Sequence, residues 1–235
     1  MLSPAEWTSV RLSLEVALFA TLFDLPPAIV MAWLLSRTRF WGRSALDVLV
    51  HAPLVLPPVV VGYLLLVVFG SRGAIGHWLL VTFGTHIAFT TQGAVLAAAV
   101  MAFPLMVRSI RLSLDSVDQG LELAARTLGA SRWDAFVNVT TPLMLPGLLA
   151  GSVIGLARAL GEFGATITFA GNIEGETRTI PVAIYTASES AGGDASALRL
   201  VVISLVLSFG ALFASGWLEA RVRVLLGYAR RGTAP

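Results

Sequence analysis

VLVHAPLVLPPVVVGYLLLVVFGS, residues Val48 to Ser71, runs for 24 positions without a charged side chain. A helix needs roughly 20 consecutive apolar residues to cross the hydrocarbon core of a bilayer, so this stretch predicts a membrane span. Three others behave alike: Gly73 to Val107 is uncharged for 35 residues, Ala135 to Ala157 for 23 and Leu200 to Leu218 for 19. Val10 to Leu35 reads the same way, interrupted by Glu15 and Asp24. The 235-residue chain is 56% hydrophobic and 13% charged, against roughly 25% charged residues in a soluble domain. The expectation is an all-α integral membrane protein of about five transmembrane helices near 10–35, 46–70, 91–107, 143–170 and 198–218, in one domain over 1–235.

The opening MLSPAEWTS is not basic and its apolar stretch runs on past Pro26-Pro27, so a retained span is expected rather than a signal peptide. There is no cysteine, which excludes disulfides and thiolate metal sites. His51, His77 and His86 are too few and too scattered for a metal site and read as interfacial polar groups. The basic residues, all sixteen of them arginine, are distributed by loop. Eleven (Arg37, Arg39, Arg43, Arg108, Arg111, Arg126, Arg132, Arg221, Arg223, Arg230 and Arg231) follow spans one, three and five. Arg11, Arg72, Arg178 and Arg199 fall on the other side, and Arg158 within span four. The positive-inside rule then puts the N-terminus outside and the C-terminus in the cytoplasm, and the pattern argues against nucleic-acid binding as the reason for the basic balance.

Pro26-Pro27 in span one and Pro53 with Pro57-Pro58 in span two remove backbone donors, so both spans are expected to be bent. Breaks of this kind suit helices lining a water-filled path, and equally a packing kink. Asp24 is costly at membrane depth and should face the protein interior, in a structural hydrogen bond or on the pathway. Gly147, Gly151, Gly155 and Ala159 recur every four residues, a small-residue ribbon that marks a close helix contact without naming the partner helix. Arg158 and Glu162, four apart on the same span, read as a mutual ion pair or as a charge that assists a passing anion, with Thr166 and Thr168 as hydroxyl donors. Gly70 to Thr91 reads as an outside connection with some interfacial helix, and GNIEGETRT to SESAGGDAS as an outside loop.

Arg108 to Asp134 packs eight charges into 27 residues and belongs in water. Within it Leu114, Val117, Leu121, Ala124, Ala125 and Leu128 recur at steps of three and four, predicting an amphipathic helix that Gly129 stops. Ser131 with Asp134 three residues on can cap a second short helix running toward Pro142. From Leu114 to Ala130 the polar face carries Asp115, Asp118 and Glu122 against Arg126 alone. A helix lying on lipid displays a basic face, so a protein partner is favoured.

These residues carry a resemblance. ELAARTLGASRWDAFVNVTTPLMLPGLLAG resembles the EAA loop of bacterial ABC-importer permeases, the segment that contacts the ATP-binding subunit, with Ala124, Ala125, Gly129, Val139 and Pro142 meeting its pattern. Glu122 stands one place early and Thr141 replaces a leucine. HAPLVLPPVVVGYLLLVVFG, AVMAFPLMVRSIR and ARALGEFGATITFAGNIEGETRTIPVAIY extend the resemblance, over nearly the whole chain, to molybdate permeases. ARALGEFGA is shared with sulfate permeases, and Glu174 replaces a common proline after GNI.

The resemblance implies a multi-pass bacterial inner-membrane permease that works as a homodimer with two ATP-binding subunits and an outer molybdate-binding protein. It assigns ATPase coupling to Leu121, Glu122, Ala124, Ala125, Arg126, Gly129 and Ala130; the prolines and the intramembrane polar groups themselves make Asp24, Pro57, Pro58, Arg158, Glu162, Thr166 and Thr168 pathway or gating candidates. No G-x-x-x-x-G-K-[ST] loop is present, so ATP and magnesium are expected on the partner subunit and no cofactor on this chain. Sulfate, thiosulfate or tungstate transport, and a stand-alone channel, are the alternatives. A channel has no need of an acidic docking helix, and no nucleophile or metal constellation supports an intramembrane enzyme.

Overall fold

The computed structural model describes residues 2–225 of the chain, and among these every regular element is helical. Helix α1, Pro4–Arg37, opens on a capping box in which the Ser3 hydroxyl accepts from Glu6 N and Glu6 reaches back to Ser3 N. It is followed by α2 (Arg43–Val55), α3 (Pro58–Phe69), α4 (Ala74–Phe83) and the 26-residue α5 (Thr91–Ser116). Then come α6 (Gln119–Thr127), α7 (Arg132–Ala135), a π-helical turn over Phe136–Thr140, α8 (Thr141–Leu160), α9 (Gly164–Phe169), α10 (Ile180–Ser188) and α11 (Asp194–Leu225). Arg230 and Arg231, two of the arginines on the arginine-rich side, lie outside the described residues.

Helix α5 is the axis of the bundle. Leu12, Val16, Ala17 and Ala20 of α1 pack against Ala94, Ala98, Ala99 and Ala102 of α5. Further along, Ala28, Ala32 and Leu35 pack against Met106, Val107, Ile110 and Leu114. Residue numbers rise together, so α1 and α5 run parallel. The ribbon of α8 meets α5 from the other side in the opposite sense: a Cβ at Gly147 would overlap Ser113, one at Gly151 would touch Ile110 and Ser109 at 3.3 Å, and one at Gly155 would sit 2.5 Å from Met106 Sδ. The ribbon's partner is therefore α5 of the same chain, and it works as small-residue contacts do in lipid, where apolar surface by itself gives helices no reason to associate.

These directions fix the crossings. The α1 end and the α5 end lie together, because Arg37 Nη2 donates to the Leu114 and Val117 carbonyls at 3.1 and 3.4 Å. The chain must therefore return across the bundle between Arg37 and Thr91, and α2 with α3 makes that crossing as one broken span bent by 116°. The α11 start lies beside the α1 start, tied by Arg199 Nη2 to Glu6 Oε1 at 2.7 Å. The result is five crossings, with the chain's N-terminus on the face opposite to α6.

Several boundaries differ from the sequence reading, each for a local reason. The expected bend in span one does not interrupt it: α1 continues helically through Pro26-Pro27 because both halves are held along α5. At Pro57-Pro58 the helix does break. There α2 stays on the α5 core through Val50, whereas α3 turns to pack Val61 and Leu65 against Ala165 and Phe169 of α9 as well as Ala97 and Met101 of α5. Leu56 and Pro57, each followed by proline, take extended ψ values of 141° and 134°. The expected amphipathic helix from Leu114 to Leu128 is two helices. Leu114 and Val117 are buried at the end of α5, and Asp118 starts α6 afresh by accepting from Gly120 N at 2.8 Å. Span four ends at Leu160 rather than 170, since Gly161 and Phe163 leave the helical path before α9 begins.

The Gly147 contact gives a direct check. Gly147→Val should lower stability by about 1–3 kcal/mol through overpacking, read as a drop in the thermal unfolding midpoint of the detergent-solubilised protein. Gly210→Val on α11, where an added Cβ meets nothing within 4 Å, should leave the midpoint near wild type.

Candidate functional site

The water-exposed segment between α5 and α8 is built by its caps. Asp118 caps the start of α6, and Gly129, at φ +98°, ends it, with Ala130 N returning to the Ala125 carbonyl at 3.1 Å. Only glycine takes that conformation without cost, which fixes Gly129 as the stop the sequence indicated. Ser131 Oγ then accepts from Asp134 N at 3.1 Å and starts α7. From α7 the chain runs without interruption through the π-turn into α8. Pro142 has no N–H for the Asn138 carbonyl, and the preceding turn widens so that both the N–H and the hydroxyl of Thr141 reach the Phe136 carbonyl.

The widened turn carries Thr140, which is fully buried. Its hydroxyl donates to Glu122 Oε1 at 2.6 Å, and Arg37 Nη2 lies 3.5 Å from the same oxygen. Glu122 therefore joins three pieces: α6, the end of α1, and the π-turn that leads into α8. Arg37 is nine-tenths buried and also holds the last carbonyls of α5. Neither Arg37 nor Thr140 stands out in the sequence as a partner of Glu122; they are 85 and 18 residues away from it, and no local pattern links them.

The remaining coupling candidates fall on two sides of α6. Leu121, Ala124 and Leu128 are exposed, Leu128 at 89%, and form an apolar stripe that no described residue of the chain covers. Ala125 and Ala130 are half-buried. Arg126 is exposed and lines, with Glu122, a cavity between α6, α7 and α1.

The pathway candidates divide likewise. The two backbone breaks meet: a Cβ on Gly164 would lie 2.8 Å from Pro58 Cβ, and one on Gly62 2.7 Å from the Ala165 carbonyl oxygen. Pro58, the second of the proline pair, thus abuts the α8–α9 break, with Pro57 next to it in the chain. Glu162 sits in that break, 2% exposed; its Oε1 accepts from Ala165 N at 2.8 Å and its Oε2 lies 2.5 Å from Arg158 Nη1. The ion-pair reading is present in the geometry. Arg158 keeps a quarter of its side chain exposed, so a cation with open donors stands beside a join of broken helices.

Thr166 and Thr168, the hydroxyl candidates, lie across the break from Arg158. They are on α9, Thr166 is 1% exposed, and the Thr168 hydroxyl donates to the Gly164 carbonyl at 2.8 Å. Asp24 faces the interior at 4% exposure, with Oδ2 unpartnered. Among the described residues no group of three His, Cys, Asp or Glu side chains could hold a metal ion.

Residues 25–224 match the family of binding-protein-dependent transport system inner membrane components. The chain is 58% identical to the molybdenum transport system permease protein ModB of Escherichia coli K12, over 93% of this chain and 95% of that one. It is 44% identical to a putative molybdenum transport system permease protein of Bacillus subtilis, over 88% and 91%. With a probable sulfate transport system permease protein of Nephroselmis olivacea the identity is 33%, over 96% and 78%. The fold matches a bacterial alginate ABC transporter at TM-score 0.74 and 18% identity, covering 94% of this chain and 80% of that one. It matches the inward-facing MetNI methionine ABC transporter at 0.65 and 18%, covering 93% and 94%.

The Arg158 pair generates a stability prediction. Arg158→Gln leaves a buried carboxylate unpaired and should cost ~3 kcal/mol, the low end for breaking a buried pair because the arginine is partly exposed. Arg158→Gln with Glu162→Gln, which keeps an acceptor for Ala165 N, should recover most of the loss in the same unfolding assay. A family match over 200 of 235 residues, 58% identity to a permease over nearly the full length of both chains and several apolar helices place the protein: it belongs to the family of binding-protein-dependent transport system inner membrane components and is a multi-pass permease subunit of an ABC importer.

Proposed function

We propose that this chain is the permease subunit of an ATP-driven molybdate importer, two copies of which enclose the pathway and dock two ATP-binding subunits on the α6 face. The 58% identity with a molybdenum permease over nearly the full length of both chains carries the substrate assignment. The uncovered stripe of Leu121, Ala124 and Leu128, on a helix the protein holds firmly from behind, supports the docking assignment. The arginine excess at this end of the bundle makes it cytoplasmic. The opposite end then faces a molybdate-binding protein.

In this reading ATP and magnesium stay on the partner, because a chain without lysine has no phosphate-binding loop of the ATPase type, and this subunit transmits force rather than catalysing a reaction. Movement of the ATPase groove carries α6. Through Glu122 the displacement reaches Arg37 on α1 and Thr140 at the foot of α8, and α8 carries it to the break where Pro58, Gly164 and Glu162 meet. Arg158, a fixed positive charge with exposed donors at that break, stabilises a passing divalent oxyanion.

Uptake of labelled molybdate into proteoliposomes holding the permease, its ATPase and the binding protein should be competed by tungstate more strongly than by sulfate. Preferential competition by sulfate would move the assignment to the sulfate branch. Leu128→Asp should abolish co-purification of the ATPase while leaving the unfolding midpoint within ~1 °C, as expected for an exposed position.

A further inference from the structure

Behind α6 lies a cavity of about 800 Å³ lined by α1, α6, α7 and the π-turn. Its lining has two characters. Ile29, Val30 and Trp33 continue the apolar surface of α1 into it, whereas Arg37, Arg126 and Arg132 bring three positive charges against the single carboxylate of Glu122, which is already engaged. Arg37, nine-tenths buried, keeps an Nε without a partner, and Arg126 and Arg132 form no ion pair among the described residues. Trp133, 73% exposed, stacks on Phe136 at the rim.

We infer that this cavity holds one anionic phospholipid of the cytoplasmic leaflet, its phosphate on Arg126 and Arg132 and its upper acyl chain against Ile29, Val30 and Trp33.

Helical geometry separates this surface from the ATPase surface. Gln119, Glu122, Leu123 and Arg126 follow one another at steps of three, one and three and occupy one face of α6. Leu121, Ala124 and Leu128 lie about 180° around the helix axis from them at 100° per residue. One face is thus free for the ATPase while the other closes the cavity. A soluble anion has no use for the apolar floor, and a neutral lipid has none for three arginines. An amphiphile with a negative head satisfies both, and a tryptophan at the rim, Trp133, suits the level of the headgroups. A lipid seated there braces α6 against α1 beside the Glu122 contact, which makes coupling sensitive to the charge of the membrane. The assignment to the cytoplasmic leaflet rests on the proposed orientation; the cavity chemistry does not.

Native mass spectrometry of the permease–ATPase complex, released from nanodiscs of equimolar phosphatidylcholine and phosphatidylglycerol, reads the occupant directly and needs no transport activity. Wild type should retain phosphatidylglycerol in preference to phosphatidylcholine, one per permease chain. Arg132→Gln should weaken retention about five-fold, and Arg126→Gln with Arg132→Gln about thirty-fold, near the surface contribution of one arginine each. Arg72→Gln, outside the cavity lining, should retain it. Equal retention of the two lipids, or retention indifferent to Arg126 and Arg132, would overturn the inference. So would displacement of the adduct by millimolar inorganic phosphate, which would make the occupant a free anion, or its loss from the isolated permease on addition of the ATPase, which would make the ATPase the occupant. Failure of molybdate uptake would leave these readings unchanged.

Discussion

Helix α5 is approached at backbone range from two sides, and the rest of the molecule is arranged around that constraint. In lipid, contact between helices must come from close van der Waals packing. Alanines 94, 97, 98, 99 and 102 on α5 admit α1 and α3, and the glycines of α8 admit the side chains of Met106, Ile110 and Ser113. Because α1 and α8 are both fixed along α5, their ends at the α6 face come to fixed places. The two partners of the Glu122 carboxylate sit at those ends. Helix α6, with no buried residue of its own, is thus positioned by polar contacts to a scaffold that small residues hold together.

The charged groups follow one logic. Where a carboxylate enters the apolar interior it is used more than once. Glu162 caps α9 and holds Arg158, and Glu6 closes the α1 start while holding Arg199 and accepting from Ser196. Such engagement offsets the cost of burying charge, and breaking either pair strands its partner. Asp24, whose Oδ2 finds no partner, stands outside that pattern.

How much was legible follows the range of each signal. The stop at Gly129, the cap at Ser131 and the α8 ribbon are local patterns, and they fall where the sequence puts them, whereas span bounds, such as the end of span four at Leu160, shift with packing. The periodicity from Leu114 to Leu128 reads as one helix because apolar spacing cannot see that Leu114 and Val117 belong to the core of α5 while Leu121 and Leu128 face outward. The proline pairs illustrate the same limit: Pro26-Pro27 and Pro57-Pro58 are alike in sequence, and only tertiary packing separates them, since both halves of α1 lie along α5 whereas α3 turns onto α9. Arg37 and Thr140 as partners of Glu122 depend on the bundle being assembled, so no spacing rule finds them. The α8–α9 break has only Gly161, Glu162 and Gly164 as its local sign, within a stretch whose length and hydropathy otherwise suit one continuous span.

In the proposed function the carboxylate of Glu122 is the link between the helix that docks the ATPase and the two helices that lead to the pathway. The most direct test of that role is the number of oxyanions imported per ATP hydrolysed, in proteoliposomes carrying Glu122→Gln or Thr140→Val with the ATPase and binding protein present. Hydrolysis should persist while the number imported per ATP falls in both variants. An unchanged ratio in both would contradict the coupling role of Glu122.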